Sequence, residues 1–442
     1  MSDDWLWMSA ADLGRGIGAG KIDPVDLTEA YLGAAETHPE TSRIYARLTR
    51  KRAMAEASAA AIRAKAGLRN GPLDGVPISW KDLFDTAGVE TEAGSALLKN
   101  RVPSADAEVL KTATFQGLVC LGKTHLSELA FSGLGLNPIT ATPPNVNDPN
   151  AVPGGSSSGA AASVAFGLAA AGIGSDTGGS ARVPPAWNDL VGLKTTHGRL
   201  SLKGAVPLAE SFDTVGPISR TVEDAALLLA AIEGGKPADL TGATLNGARL
   251  LVLENALVDS RETPAAAFEA ATSKLAAAGA TIDHATIPEL DEAQTMSAIL
   301  YTAEAWGTWQ KEIEANPDAM FARIRDRFQS GAAFSASDYV AAWQRLTAIR
   351  AKVRADVAGY DAIILPTTPN MPPDAQRLLE DDDYYVTENL LALRNTRYGN
   401  LLEGAALTLP TGTPSTAIMF IGKPMGEERL LRLGAAAERV LT

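Results

Sequence analysis

Apolar positions along the chain switch repeatedly between the helical and the strand period, and the switches mark out the elements. Amphipathic helices are predicted over about 9–18 and 24–36. Ser9-Ala10-Ala11-Asp12 resembles a capping box before the first, and Asp23-Pro24 sets an N-cap ahead of a proline at the first helical position of the second. An Ala/Arg/Lys-rich helix follows near 50–67. The period then shortens. Residues Leu73 to Asp82 read as a turn feeding a short buried strand that a lysine, Lys81, closes. A helix over 105–116 leads into a strand at 118–121, an order that suggests a sheet with covering helices. The stretch 131–152 is rich in Gly, Pro and Asn and reads as loop.

The second half continues the same layering. A small-residue run between two glycine-serine loops predicts a close-packed helix and strand, and 189–194 reads as another short strand. Thr221-Val222-Glu223-Asp224 starts a helix running to about 232. From 249 to 287 the order is strand, Ala-rich helix, strand. Residues 291–358 are helical throughout and carry Trp306, Trp309, Tyr339 and Trp343. Asp361 to Pro366 is a buried strand, and Glu380-Asp381-Asp382-Asp383 reads as a solvated loop. Leu407–Pro410 and Ala417–Ile421 read as final strands before a helix over 427–441. This pattern predicts an α/β protein.

Composition narrows the class. The 442 residues are 46% hydrophobic and 21% charged, as in globular proteins, with a formal net charge of −13 that argues against a nucleic-acid surface. The N-terminal segment carries two acids and no basic n-region, which predicts no signal peptide. The small-residue run at 159–174 is too short and too rich in Ala and Gly to span a bilayer. Neither membrane nor nucleic acid is therefore an expected partner. Cys120 is the single cysteine, which excludes an intramolecular disulfide and fits a reducing cytoplasm.

The candidate chemistry lies in the two glycine-serine loops, Pro153 to Gly159 and Gly174 to Arg182. They offer serine hydroxyls and bare backbone amides, which suit an activated nucleophile beside an oxyanion-stabilising nest. His38, His125, His197 and His284 stand in no hydrolase elbow or zinc-binding helix motif, and no ligand-spaced cluster predicts a metal. The loops fit neither phosphate-binding glycine pattern, so no nucleotide cofactor is expected. A serine without a placed histidine needs another base. A lysine can serve if burial keeps it neutral, and Lys81 ends an apolar run. Taken alone, the glycines fit tight turns and Lys81 fits an exposed strand end equally well.

The combination resembles the amidase signature family of Ser-Ser-Lys amidases. The resemblance rests on LDGVPISWKDLFDTAG (73–88), LGKTHLSELAFSG (121–133), the glycine-serine segment 153–184, VGLKTTHGRLS (191–201), FDTVGPISRTVEDAALLLAAI (212–232), YDAIILPTTP (360–369) and NLLEGAALTLPTG (400–412). It implies one α/β domain over 1–442 with a central twisted mixed sheet covered by helices, residues 291–358 forming a peripheral lobe over the site. It implies that Ser180 is the acyl-forming nucleophile, Ser156 a bridging serine on a cis peptide bond, and Lys81 the base. Backbone N–H groups of Thr177, Gly178, Gly179 and Ser180 would face the oxyanion, with both glycines permitting the nest by lacking Cβ. Ala130, Phe131 and Ser132 match positions lining the acyl pocket. Asp176 and Arg182 would support the loop, with contact to a substrate carboxylate as the alternative.

The implied activity is hydrolysis of a small carboxamide to carboxylate plus ammonia or amine, in the cytoplasm and without cofactor or metal. A homodimer stays open. Some positions depart from the family pattern. Ser158 replaces a common glycine, Trp80 precedes the lysine, Trp187-Asn188-Asp189 replaces an aromatic-Cys-Gly triplet, and 412–416 lacks the usual LPVG-like segment. Two rival readings remain. One is the glutaminase component of a glutamyl-tRNA amidotransferase (its A subunit), which needs a partner protein. The other is a non-catalytic ligand-binding or scaffold protein on the same fold.

Overall fold

The computed structural model describes residues 2–441. Its strands, in chain order, are Tyr45–Leu48 (β1), Pro77–Lys81 (β2), Val119–Thr124 (β3), Ala171–Asp176 (β4), Val191–Lys194 (β5), Thr214–Ser219 (β6), Arg249–Leu253 (β7), Thr281–Ala285 (β8), Ala362–Pro366 (β9), Ala406–Pro410 (β10) and Ala417–Ile421 (β11). They form one sheet in the order β1-β3-β2-β4-β6-β5-β10-β11-β9-β7-β8. The sheet is mixed. β3, β2 and β4 run parallel, as do β9, β7 and β8, while the strands between pair antiparallel. Helices cover it, giving the single α/β domain that the family resemblance implies.

Most predicted elements appear within a few residues of their expected bounds. Ser9 and Thr221 cap their helices by accepting from Asp12 and Asp224 N–H, and Asp23 accepts from Val25 N–H ahead of Pro24. Cys120 is buried in β3, and burial pushes its thiol up to about 11. Among the described residues no helix is long and apolar enough to cross a membrane.

Some elements depart from expectation, β1 and the short helix Val183–Trp187 among them. The acidic run at 380–383 is not a loop. Asp381 accepts from Tyr384 N–H and caps a 20-residue helix, Asp382–Leu401, whose first turn carries Asp382 and Asp383 against the positive end of the helix dipole. The strand β6 was hidden by Gly216 and Pro217. Pro217 is tolerated because β5 pairs with β6 only through Ile218 and Ser219, so the proline lies beyond the end of that ladder.

The parallel registers assemble the site. Ser79 and Trp80 of β2 stand opposite Gly172 and Ile173 of β4, so Lys81 and Ser175 meet at the carboxyl ends of adjacent strands. Helix Ser158–Ala165 packs over these strands directly after the first glycine-serine loop. Gly159 allows that approach, since a Cβ there would sit 2.5 Å from the Ile44 carbonyl oxygen and 2.7 Å from His125 N. Helices Ala322–Gln329 and Ala336–Asp356 each pack against Pro288–Ala315, which also packs on Asp382–Leu401. Phe212 ties the group to the sheet domain, its ring 4.5 Å from Tyr301 and 5.0 Å from Trp343.

Candidate active site

Lys81, at the end of β2, is completely buried. Its Nζ lies 2.7 Å from Ser156 Oγ and 2.8 Å from Ser175 Oγ, and it forms no ion pair among the described residues. Two neutral hydroxyls do little to hold a positive charge. Burial therefore lowers the ammonium pKa to about 7, with the more distant charges of Asp176 and Asp213 opposing the drop. Ser156 follows a cis Gly155–Ser156 peptide bond and is likewise fully buried. Ser157 Oγ donates to the Ser175 carbonyl, and Ser158 Oγ to that of His125, so these hydroxyls bind structure beside the lysine.

The loop after β4 is organised by one carboxylate. Asp176 accepts from the N–H groups of Gly179 and Ala181, from Arg182 Nε and Nη2, and from Asn400 Nδ2, at 2.8–3.0 Å. Burial alone would raise its pKa, but the adjoining Arg182 guanidinium outweighs this and holds it near about 2. Arg182 is itself wholly buried and bound also to the Thr396 carbonyl and Asn400 Oδ1. Its donors are spent inside the protein, so a substrate carboxylate finds no free edge there. The pair holds the loop.

That arrangement corrects two expectations about the nest. Gly179 N–H is committed to Asp176 Oδ1, leaving the N–H groups of Thr177, Gly178 and Ser180 without partners among the described residues. The absence of a Cβ is required at Gly179, where φ is 145° and a Cβ would fall 2.2 Å from Thr396 Oγ1. At Gly178 the nearest atom to a Cβ, Arg397 Cγ, is 3.8 Å away, so there is room.

Ser180 lines a narrow cavity together with Ala130, Phe131, Ser132, Thr177 and Gly178. The structure thus brings the predicted pocket residues and the predicted oxyanion loop to one place. Ser132 contributes little free polarity, because its hydroxyl is bonded to Asn389, Tyr385 and Leu134 N–H. No hydrogen bond joins Ser180 Oγ to Ser156 Oγ among the described residues. Ser180 lines the cavity, whereas Lys81 and Ser156 are fully buried and are not part of its lining.

Several contributors escaped the sequence reading. Ser175 is the second partner of Lys81. Asp213, at the start of the FDTVGPIS segment, accepts from Thr177 Oγ1 and from Leu208 N–H and Ala209 N–H, fixing the first residue of the nest. Leu208, Tyr301, Arg327, Leu393 and Arg397 complete the cavity wall. Spacing within a motif carries none of these, since they come from separate elements folded over the loops.

A buried lysine against two serines thus stands beside a serine-bearing loop with amides unpaired among the described residues, at the carboxyl ends of strands of an α/β sheet. Residues 26–431 match the family model described as Amidase, and the chain belongs to that family, whose members act on amide C–N bonds. It is 35% identical to 2-amino-5-chloromuconic acid deaminase of Comamonas testosteroni, over 98% of this chain and 97% of that protein. It is 33% identical to the A subunit of glutamyl-tRNA(Gln) amidotransferase from Anaeromyxobacter sp. (strain K), over 97% and 95%. A solved amidase crystal structure superposes with a TM-score of 0.88 at 27% identity, covering 98% of this chain and all of that one.

Proposed function

We propose that the protein hydrolyses a small carboxamide through an acyl-Ser180 intermediate, with Lys81 as base and Ser156 as the proton bridge. The observation that carries this reading is the environment of Lys81: an amine with its pKa lowered to about 7, bonded to two hydroxyls and no carboxylate. At neutral pH a large fraction of such an amine is unprotonated and can accept a proton.

In the first half-reaction Ser180 Oγ attacks the amide carbonyl carbon. Its proton moves to Ser156 Oγ as Ser156 gives its own to Lys81. The carbonyl oxygen becomes an oxyanion facing the N–H groups of Thr177, Gly178 and Ser180, and each such donor contributes about 3–4 kcal/mol to the transition state. Collapse breaks the C–N bond, and the leaving nitrogen takes the proton back through Ser156 as ammonia or amine. Water then attacks the acyl-serine by the same relay, releasing the carboxylate and restoring Ser180. We assign the enzyme to the cytoplasm, which its one buried cysteine supports.

The amidotransferase reading also has support in the similarity to that glutamyl-tRNA(Gln) amidotransferase component. Ammonia release from short carboxamides by the purified chain separates the two. Turnover by the isolated chain supports a self-sufficient amidase, whereas turnover of glutamine alone, and only with a partner protein, would favour the rival.

A further inference from the structure

The cavity at Ser180 holds two cations that the proposed chemistry does not use. Arg327 reaches it from helix Ala322–Gln329 and Arg397 from helix Asp382–Leu401. Arg327 donates to the Phe131 carbonyl at 3.0 Å and stacks its guanidinium 4.3 Å from the Phe131 ring centroid. Arg397 lies along Gly178 and makes no hydrogen bond among the described residues. Neither arginine forms an ion pair among the described residues, and no Asp or Glu lines the cavity. Elsewhere in the molecule several buried or partly buried arginines are paired, among them Arg182 with Asp176, Arg199 with Glu427 and Arg52 with Asp106, whereas Arg69 and Arg220 spend their donors on backbone carbonyls.

Burial disfavours both charges. It brings Arg327 down to about 10, helped by repulsion from Arg397, and lowers Arg397 also. Both stay protonated at neutral pH. Two guanidinium groups brought together without a carboxylate cost free energy in the free protein, and an anion between them would recover it. Arginine forks match carboxylates in geometry as well as charge.

We propose that the substrate is the monoamide of a short dicarboxylic acid, its free carboxylate held by Arg327 and Arg397 and its amide carbonyl presented to Ser180. This rests on the amidase reading above and adds the substrate class. The chain is short because the cavity is narrow. An amino-acid amide fits less well. Its ammonium group would meet two guanidinium groups and no carboxylate.

Three amides of one chain length test this. Succinamate, butanamide and asparagine share a four-carbon skeleton and differ in carrying a carboxylate, no charge, or a carboxylate with an ammonium group. Succinamate is expected to exceed both others in kcat/KM by about 100-fold or more, the scale of a charge-assisted pair in a desolvated site. In Arg397→Met and Arg327→Met the succinamate-to-butanamide ratio falls by about 10- to 100-fold, with Arg397→Lys retaining more of it than Arg397→Met. Equal or better turnover of butanamide or asparagine by the native enzyme would overturn the proposal, as would an unchanged ratio in both Met variants. If no amide is turned over, calorimetric titration with succinate still decides. Binding that is lost in Arg397→Met supports the anion site while the amidase reading fails, and no binding overturns the site.

Discussion

Lys81 Nζ stands 2.7 Å from Ser156 Oγ at the carboxyl ends of two parallel strands, in a setting without an ion-paired carboxylate. The geometry ties a pH dependence to a single amine. Because burial lowers the Lys81 pKa to about 7, the protonated form dominates below that value and the neutral base above it. The rate should therefore rise with pH through about 7, and kcat/KM should fall about tenfold per unit well below it. A pH–rate profile on a neutral amide, whose own charge does not change, checks this. A profile flat down to about pH 5 would exclude a neutral-lysine base.

The loop after β4 makes two neighbouring glycines unequal. At Gly179 a methyl group would collide with Thr396 Oγ1 on a backbone with φ 145°, whereas at Gly178 nothing lies closer than 3.8 Å. Gly179→Ala should lower the melting temperature by several degrees and activity by at least 100-fold. Gly178→Ala should keep a melting temperature close to native. Thermal melts of the two proteins side by side test the assignment. Equal melting temperatures would mean that the loop has more freedom than its bonds to Asp176 allow.

Asp213 fixes Thr177 from below by accepting from its hydroxyl and from two backbone N–H groups. Asp213→Ala leaves those buried donors unpaired, at about 1–3 kcal/mol for each unsatisfied group. The expected result is a destabilised protein with kcat reduced about 10- to 100-fold. Asp213→Asn, which still accepts through one oxygen, should recover part of both. Chemical denaturation and steady-state kinetics on both variants read the two effects separately.

How far the site could be read from sequence follows from where its residues lie. Lys81, Ser156 and Ser180 stand in local motifs whose glycines and flanking strands are visible in one dimension, and β2, β4 and helix Ser158–Ala165 form close to where the apolar pattern predicts. Helix Asp382–Leu401 was hidden because polar residues interrupt its inner face. Glu388, Asn389, Asn395, Thr396 and Asn400 are buried and hydrogen-bonded, so the apolar period that marks a helix is broken. Arg397 rides on that helix, and Arg327 comes from a region whose pattern announced only helix. Their meeting at Ser180 depends on packing of distant segments, which no spacing reports. The commitment of Gly179 N–H to Asp176 was equally out of reach, since it depends on how the carboxylate turns back on its own loop.

The proposed chemistry stands on Ser180 forming the acyl bond and on Lys81 driving that step. Covalent labelling with an active-site fluorophosphonate reads both at once, followed by peptide mass spectrometry on native protein, Ser180→Ala and Lys81→Met. One adduct on Ser180 is expected in the native enzyme, none in Ser180→Ala, and labelling at least 100-fold slower in Lys81→Met. An adduct on another serine of the native enzyme, or labelling of Lys81→Met at the native rate, would refute the Ser180–Lys81 assignment.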